Sequence, residues 1–275
     1  MTDFASKVIS HIDRGYIHDL LNRGERVDDR AFDEYRPITI EPHPVPAKAE
    51  GSAIVRVGGT SVVAGVKVLT GPPYPDTPDE GVTMVTAEMA PIASPLFELG
   101  PPKEAAIELA RVVDRGVRES ETMDSKALCI ETGKLVYMVF ADVYTLEYDG
   151  NLIDAASMAV NAALMGTKYP EMKWEGDQAV PTGKVLELPL QNMAIEHTVS
   201  KIGKHLVIDP HLKEEFVQDC RLTMAVDKNN NFTAMQKGGG VGPMSLEMID
   251  NAMGMALDNA KEIRELITET MKNAE

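Results

Sequence analysis

Lys134-Leu-Val-Tyr-Met-Val-Phe-Ala-Asp-Val-Tyr-Thr-Leu-Glu-Tyr-Asp-Gly-Asn-Leu-Ile-Asp-Ala-Ala-Ser-Met-Ala-Val-Asn-Ala-Ala-Leu164 reads as a long strand, a tight turn and a helix. The strand runs from Lys134 to Tyr148, where β-branched and aromatic residues favour a pleated, half-buried surface. The turn is Asp149-Gly150-Asn151-Leu152. The helix, Asn151 to Met165, carries Ala155, Ala156, Ala159, Ala162 and Ala163. So little side chain lets a helix lie very close to a sheet. The sequence thus permits this helix to lie directly on strands.

Outward from this element, the rest of the chain follows the same grammar. N-terminally, Arg36 to Glu41, Gly51 to Val57 and Thr60 to Leu69 read as strands, the last two joined by Gly58-Gly59 as a hairpin. Gly71 to Pro78 is a proline-stiffened loop, and Gly81 to Ala90 another strand. Glu104 to Glu119 reads as a helix with Ile107, Ala110, Val113 and Val117 as its buried stripe; a strand, Lys126 to Glu131, follows. At the start of the chain, residues 3–23 keep rough helical spacing through Phe4, Val8, Ile12, Leu20 and Leu21. That apolar face docks either on its own domain or on a neighbouring subunit. C-terminally, residues 169–184 contain Tyr169-Pro170, Trp174 and Pro181-Thr-Gly183 and read as a linker. Strands then recur at 185–190, 194–199, 205–208, 221–226 and 232–236. Gly238-Gly-Gly-Val-Gly242 leads into a long helix capped near Ser245, with Ile249, Met253, Ala256, Ala260, Ile263, Ile267 and Met271 on one face. Strands followed by a helix thus occur twice, which predicts an α+β protein of two similar lobes. The expected division is 1–30 N-terminal helix and lead-in, 31–168 first lobe, 169–184 linker and 185–275 second lobe.

With 275 residues, 44% hydrophobic and 25% charged, the chain is long enough for a sizeable core. Thr2 to Gly15 carries acids and no continuous apolar run, unlike a secretory leader, and no window approaches the ~20 apolar residues that span a bilayer. Cys129 and Cys220 lie in apolar runs and read as buried thiols. The expected setting is the reducing cytoplasm, with no membrane. The net charge of −16 argues against non-specific nucleic-acid binding, which follows local cation density. A local arginine cluster still acts, since charges are screened over ~8 Å at physiological salt.

Such a cluster exists. Arg111, Arg115 and Arg118 are spaced four and three on one helix, so they share a face and form either a phosphate clamp or a solvated surface paired with Glu108 and Glu119. Gly238 to Gly242 precedes a helix as an anion cradle does, but lacks the Gly-Lys-Ser/Thr that follows in nucleotide loops, and a hinge explains it better. Asp209, Glu214, Glu215 and Asp219 are acids with loose spacing beside Pro210, which reads as a solvated loop rather than a metal site. The histidines at 11, 18, 43, 197, 205 and 211 have no zinc spacing, and no Gly-x-Ser-x-Gly nucleophile motif occurs.

Arg26 to Ile38, Gly51 to Lys67, Ala110 to Ser120, the element at 134–164 and Lys237 to Met244, taken together and in order, resemble the RNase PH superfamily. Within it, Arg111-Val-Val-Asp-Arg-Gly-Val-Arg-Glu-Ser120 and Tyr148-Asp-Gly-Asn-Leu-Ile-Asp-Ala-Ala156 are most similar to the non-catalytic RNase PH-type subunits of the archaeal exosome. The resemblance implies an RNase PH-like (ribosomal protein S5 domain 2-like) fold with two βαβα-type lobes. It implies a hexameric ring of three heterodimers, in which this chain alternates with a catalytic RNase PH-type exosome subunit under a trimeric RNA-binding cap. Single-stranded RNA threads such rings and is shortened from its 3′ end by phosphorolysis.

Catalytic members of the family carry a Gly-Thr-Arg or Gly-Ser-Arg phosphate clamp at the turn before the alanine-rich helix. Here Gly150-Asn151-Leu152-Ile153 supplies no charge. Loss of one preorganised donor typically costs ~10²–10³ in rate. Catalytic members also carry paired aspartates after the strand equivalent to 205–208, where this chain aligns Phe216 and Arg221 or Leu222. The resemblance therefore implies no catalytic residue, no metal and no cofactor, with RNA held by Arg111, Arg115 and Arg118. The rival expectations are an independently active phosphorolytic 3′–5′ exoribonuclease, which needs a phosphate site, and an unrelated small-molecule enzyme, which would not co-elute with a catalytic homologue.

Overall fold

The computed structural model describes residues 11–274. Two sheets share one central helix. The first sheet contains β1 (Ile38–Pro42), β2 (Gly51–Val57), β3 (Thr60–Gly71), β4 (Val82–Met89), β5 (Cys129–Glu131) and β6 (Leu135–Glu147). Its order is β1-β2-β3-β6-β4, with β5 on the end of β6. β4 and β6 pair in parallel, and α2 (Glu104–Glu119) lies on the crossover between them. The second sheet has order β10-β9-β11-β12 and is antiparallel, from β9 (Ile195–Ile202), β10 (His205–Ile208), β11 (Cys220–Val226) and β12 (Phe232–Gly238). The 205–208 strand, the hairpin through Gly58-Gly59 and the α2 bounds are as expected; of the two turn glycines, only Gly58 takes a positive φ, +55°.

The alanine-rich helix is α3 (Leu152–Met165), and every residue from Leu152 to Leu164 is buried. It packs on β2 and β3 of the first sheet, on β9 of the second and on α5 (Leu246–Lys272). A helix enclosed on all sides is mostly apolar all round, and its buried Asp154, Ser157 and Asn161 are all hydrogen-bonded. The close approach is tight enough that a Cβ on Gly51 would lie 2.9 Å from Thr167 Cα. One core runs from Val55, Val62 and Val139 through Ala155 and Ala159 to Ile263, Ile267 and Met271 of α5, so the two halves are joined by packing. Enlarging Ala159 would force such a core apart at a cost of about 1–3 kcal/mol.

Four expectations need correction. The stretch 169–184 is no irregular linker but most of a hairpin, β7 (Lys168–Glu175) with β8 (Gln178–Glu187). Its prolines are tolerated because a two-stranded ribbon is all edge. It is anchored by Tyr169, buried against Tyr137 with ring centroids 4.8 Å apart, and by the Met172 N–H donating to Tyr137 Oη at 2.6 Å. On α2, Ile107 is 52% exposed and Ala110 half-buried; Val113 and Val117 are buried as expected, together with Ala106, Leu109, Val112, Asp114 and Gly116. Lys126 to Leu128 is a 3-10 turn ahead of β5. The acidic tract contains α4 (Leu212–Val217), with Asp209 and Glu214 fully buried rather than solvated.

Helix α1 (His11–Asn22) docks on its own chain: Ile17 and Leu21 pack with Ile202, Val207 and Val217. Phe4 and Val8 lie outside the described residues. Cys220 is buried and Cys129 half-buried, and both are free thiols. No helix among the described residues is long and apolar enough to cross a membrane.

Candidate functional site

Two polar regions flank α3, and both were singled out in the sequence. The first is the turn that opens the helix. Gly150 takes φ +92°, and the chain at Pro210–Leu212 leaves no room for a side chain: Leu212 N would lie 2.6 Å from any Cβ there. Asn151 follows at φ 54°, a left-handed conformation that asparagine tolerates. Its side chain turns inward. Nδ2 donates to Asp154 Oδ2 at 2.9 Å and to Asp209 Oδ1 at 2.8 Å. Its backbone N–H donates to Glu215 Oε2 at 2.9 Å. Glu215 also takes the hydroxyl of Tyr148. The first turn of α3 attracts negative charge through its unsatisfied amides. Here the chain supplies that charge itself.

The cations nearest this turn are consumed internally. Arg36 grips Asp209 with two bonds of 2.8 Å and donates to the carbonyls of Asp149 (2.6 Å) and Gly150 (3.2 Å). Arg30 bridges Asp28 and Asp209. Arg26 forks onto Glu214 at 3.0 and 2.7 Å, with both side chains fully buried. Burial alone would raise the Asp209 carboxyl, but the Arg36 hydrogen bonds and the charges of Arg36 and Arg30 hold it below the ordinary range. Asp154 is pushed up to about 6 by burial, against hydrogen bonds from Thr198, Asn151 and Tyr35. Tyr35 in turn meets His197 Nδ1 at 3.0 Å, and burial drives that imidazole down to about 3, so it is neutral.

Beside this turn lies a cleft of about 960 Å³. Glu104, Glu108, Glu215 and Asp219 line it against the cations Arg14 and Arg221, and Arg221 Nη2 is already 2.8 Å from Glu108 Oε1. Phe216 and Arg221, aligned by sequence with acid positions, both reach this cleft, whereas Leu222 is buried in the second core. The Gly238–Gly242 loop closes one side: Gly242 N–H donates to Asp219 O at 3.0 Å, and a Cβ on Gly240 would strike the same carbonyl. Close approach to β11 accounts for its glycines. Among the described residues no group of His, Cys, Asp or Glu is placed to hold a metal ion.

The second region is the outer face of α2. Arg111 and Arg118 are exposed, with side chains 63% and 50% accessible. Both lean on Asp114, at 3.9 and 3.5 Å, and Arg118 also on Glu119 at 3.6 Å. Asp114 itself is buried, but the arginine ends face solvent and the contacts are long, so they hold the guanidiniums weakly and leave them available. Arg115 differs. It is half-buried, and its Nη2 donates to Gln236 Oε1 of β12. Gln236 Nε2 donates to Glu108 Oε1 at 3.1 Å, which completes a strap from α2 to the second sheet. Glu108 thus serves the strap, and Asp114 takes the role of local partner on the arginine face. Sequence reasoning missed Asp114, although its spacing of three and four from Arg111 and Arg118 signals it.

With this geometry in place, the likeness to known proteins is specific. Models of domain 1 and domain 2 of the 3′ exoribonuclease family, RNase PH, match residues 34–170 and 192–259. The chain is 48% identical over 258 residues to the exosome complex component Rrp42 of Methanocella arvoryzae, covering 94% of this chain and 96% of that one. It superimposes with a TM-score of 0.86 on a chain of the Archaeoglobus fulgidus exosome with RNA bound to the active site, at 44% identity over 94% of this chain and 99% of that one. A chain of an archaeal exosome core gives a TM-score of 0.82 at 41% identity, covering 94% and 96%. The expected architecture holds: this chain has the RNase PH-like α+β fold and belongs to the 3′ exoribonuclease family.

Proposed function

We propose that this chain is a non-catalytic, RNA-gripping subunit of a cytoplasmic exosome, a ring that degrades RNA from its 3′ end by phosphorolysis. The observation that carries the reading is the Glu215 carboxylate bound to the backbone amide of Asn151, the residue just before α3. Phosphorolysis needs inorganic phosphate beside an anionic RNA end, so the site must offer cations or free amides. Here a carboxylate takes the amide, the Asn151 side chain is spent on Asp154 and Asp209, and Arg26, Arg30 and Arg36 are neutralised. Asp149 adds a further partly exposed carboxylate.

What remains for RNA is the face of α2. Arg111 and Arg118 present two guanidiniums on a rigid scaffold, and Arg115 lies between them on the Gln236 strap. Backbone phosphates suit such a face, and contacts of this kind position RNA without reading its sequence. The exosome names of the relatives support assembly with other exosome subunits; the family resemblance implies that the partner is a catalytic RNase PH-type subunit, alternating three and three beneath a trimeric cap. In that ring this chain grips RNA and helps build its partner's site while performing no chemistry. Residues 31–168 and 185–275 act as its two lobes.

The test is RNA affinity of the assembled ring. Replacing Arg115 and Arg118 together with glutamate is expected to weaken binding of single-stranded RNA strongly. Unchanged affinity in a correctly assembled ring would remove α2 from the RNA path.

A further inference from the structure

Behind the arginine face a buried carboxyl lies against the backbone of α2. Glu196, on β9, is 2% exposed. Its Oε2 accepts from Ser157 Oγ of α3, and its own N–H donates to that hydroxyl at 3.1 Å. Its Oε1 has no hydrogen-bond partner and faces Gly116, where a Cβ would collide with it. Arg115 precedes that glycine. One amino group of Arg115 is anchored on Gln236, while its Nε is buried and also lacks a partner. Arg115 and Glu196 line one small void of about 10 Å³, together with Thr223 and Gln236. Val112, Ala225, Ala234 and Met235 complete its lining, so the polar groups of Arg115, Glu196, Thr223 and Gln236 share it with apolar walls; a void of this size is at the threshold for about one water with two to four polar neighbours.

We propose that Glu196 is a positioning residue for Arg115: one water held between Glu196 Oε1 and Arg115 Nε couples the charge of the buried carboxyl to the orientation of the guanidinium. The inference rests on the RNA-gripping reading of α2, and it makes that grip dependent on pH. The charged groups facing Glu196 are Arg115 from α2 and Asp154 from α3; β11 and β12 offer the uncharged Thr223 and Gln236. Burial pushes the Glu196 carboxyl up to about 8, with Ser157 opposing the rise, Asp154 adding to it and Arg115 opposing it. Below that value the acid is neutral and Arg115 answers only to Gln236. Above it the carboxylate draws the guanidinium inward and cancels its field. RNA affinity therefore falls as pH rises.

The experiment measures affinity of the assembled ring for labelled single-stranded RNA from about pH 6.5 to about pH 9.5 at fixed ionic strength, a range that brackets the transition. The wild type is expected to lose about tenfold across it, the scale of one charge-assisted hydrogen bond. Glu196→Gln, which cannot ionise, is expected to give a flat profile. Ser157→Ala removes a donor that favours the ionised acid, so its fall moves to higher pH; this variant also serves if Glu196→Gln fails to assemble. Parallel profiles for wild type and both variants would overturn the proposal. Should Arg111→Glu with Arg118→Glu bind RNA as the wild type does at every pH, the reading of α2 fails instead, and the two failures are distinct.

Discussion

The first turn of α3 and the outer face of α2 belong to helices in contact, yet they have opposite electrostatics. Around the turn, Arg26, Arg30, Arg36 and the Asn151 amide meet Asp149, Asp209, Glu214 and Glu215, and those three arginines are each committed to the chain's own acids or carbonyls. On α2, Arg111 and Arg118 share one carboxylate at long range and stay exposed. The difference teaches that arginine content does not define an anion site. What matters is whether folding has already supplied the anion.

The comparison breaks most readily through stability. Arg26→Met leaves Glu214 buried without its fork and is expected to cost about 3–5 kcal/mol, whereas Arg111→Met, at the surface, stays within about 0.5 kcal/mol. Chemical denaturation of both variants checks this; equal costs would mean the two regions are not different in kind. Next comes binding. Arg111→Glu with Arg118→Glu is expected to weaken RNA binding by the ring about a hundredfold and to flatten the log–log salt dependence by about 1.4 units, two single-strand phosphate contacts. A loss of affinity with an unchanged salt slope would point to a structural effect instead.

A smaller effect sharpens the boundary between the regions. The raised acid of Glu196 contributes stability that is fully present below its unfolded value of 4.5 and is lost as pH climbs to about 8. Glu196→Gln lacks that loss, so thermal or urea melts should show it gaining about 1–3 kcal/mol on the wild type between pH 5 and pH 8. A constant difference across that range would place the titration elsewhere. Least of all is expected from Glu215→Gln. Removing one carboxylate leaves Asp149, Asp154 and Asp209 beside the turn, so the purified variant should release no nucleoside diphosphate from RNA and phosphate. Release would show that Glu215 alone closes the site.

Much of this was legible in the sequence where the signals are local. The strand–turn–helix at 134–164, the Gly58-Gly59 hairpin and the α2 bounds follow from periodicity, glycine and small residues. The uncharged turn at Gly150-Asn151 was also legible, but the reason it cannot take an anion was not, because Glu215 lies 64 residues away. The same distance effect hid the Arg26–Glu214 fork, 188 residues apart, and made a buried acidic helix look like a solvated loop. On α2, the inward turn of Arg115 depends on Gln236, and the close approach at Gly116 on Glu196, contacts that no helical wheel contains. The hairpin at 168–187 was masked by its prolines, which an edge ribbon tolerates.

The central claim is that this chain positions RNA but does not cleave it. Its most direct test is phosphate-dependent shortening of labelled single-stranded RNA by this chain alone, by its catalytic RNase PH-type partner alone and by the two assembled. Silence from this chain alone, with strong activity on mixing, is the predicted result. Nucleoside diphosphate release by the purified chain alone would contradict it and place a working phosphate site in the cleft beside Asn151.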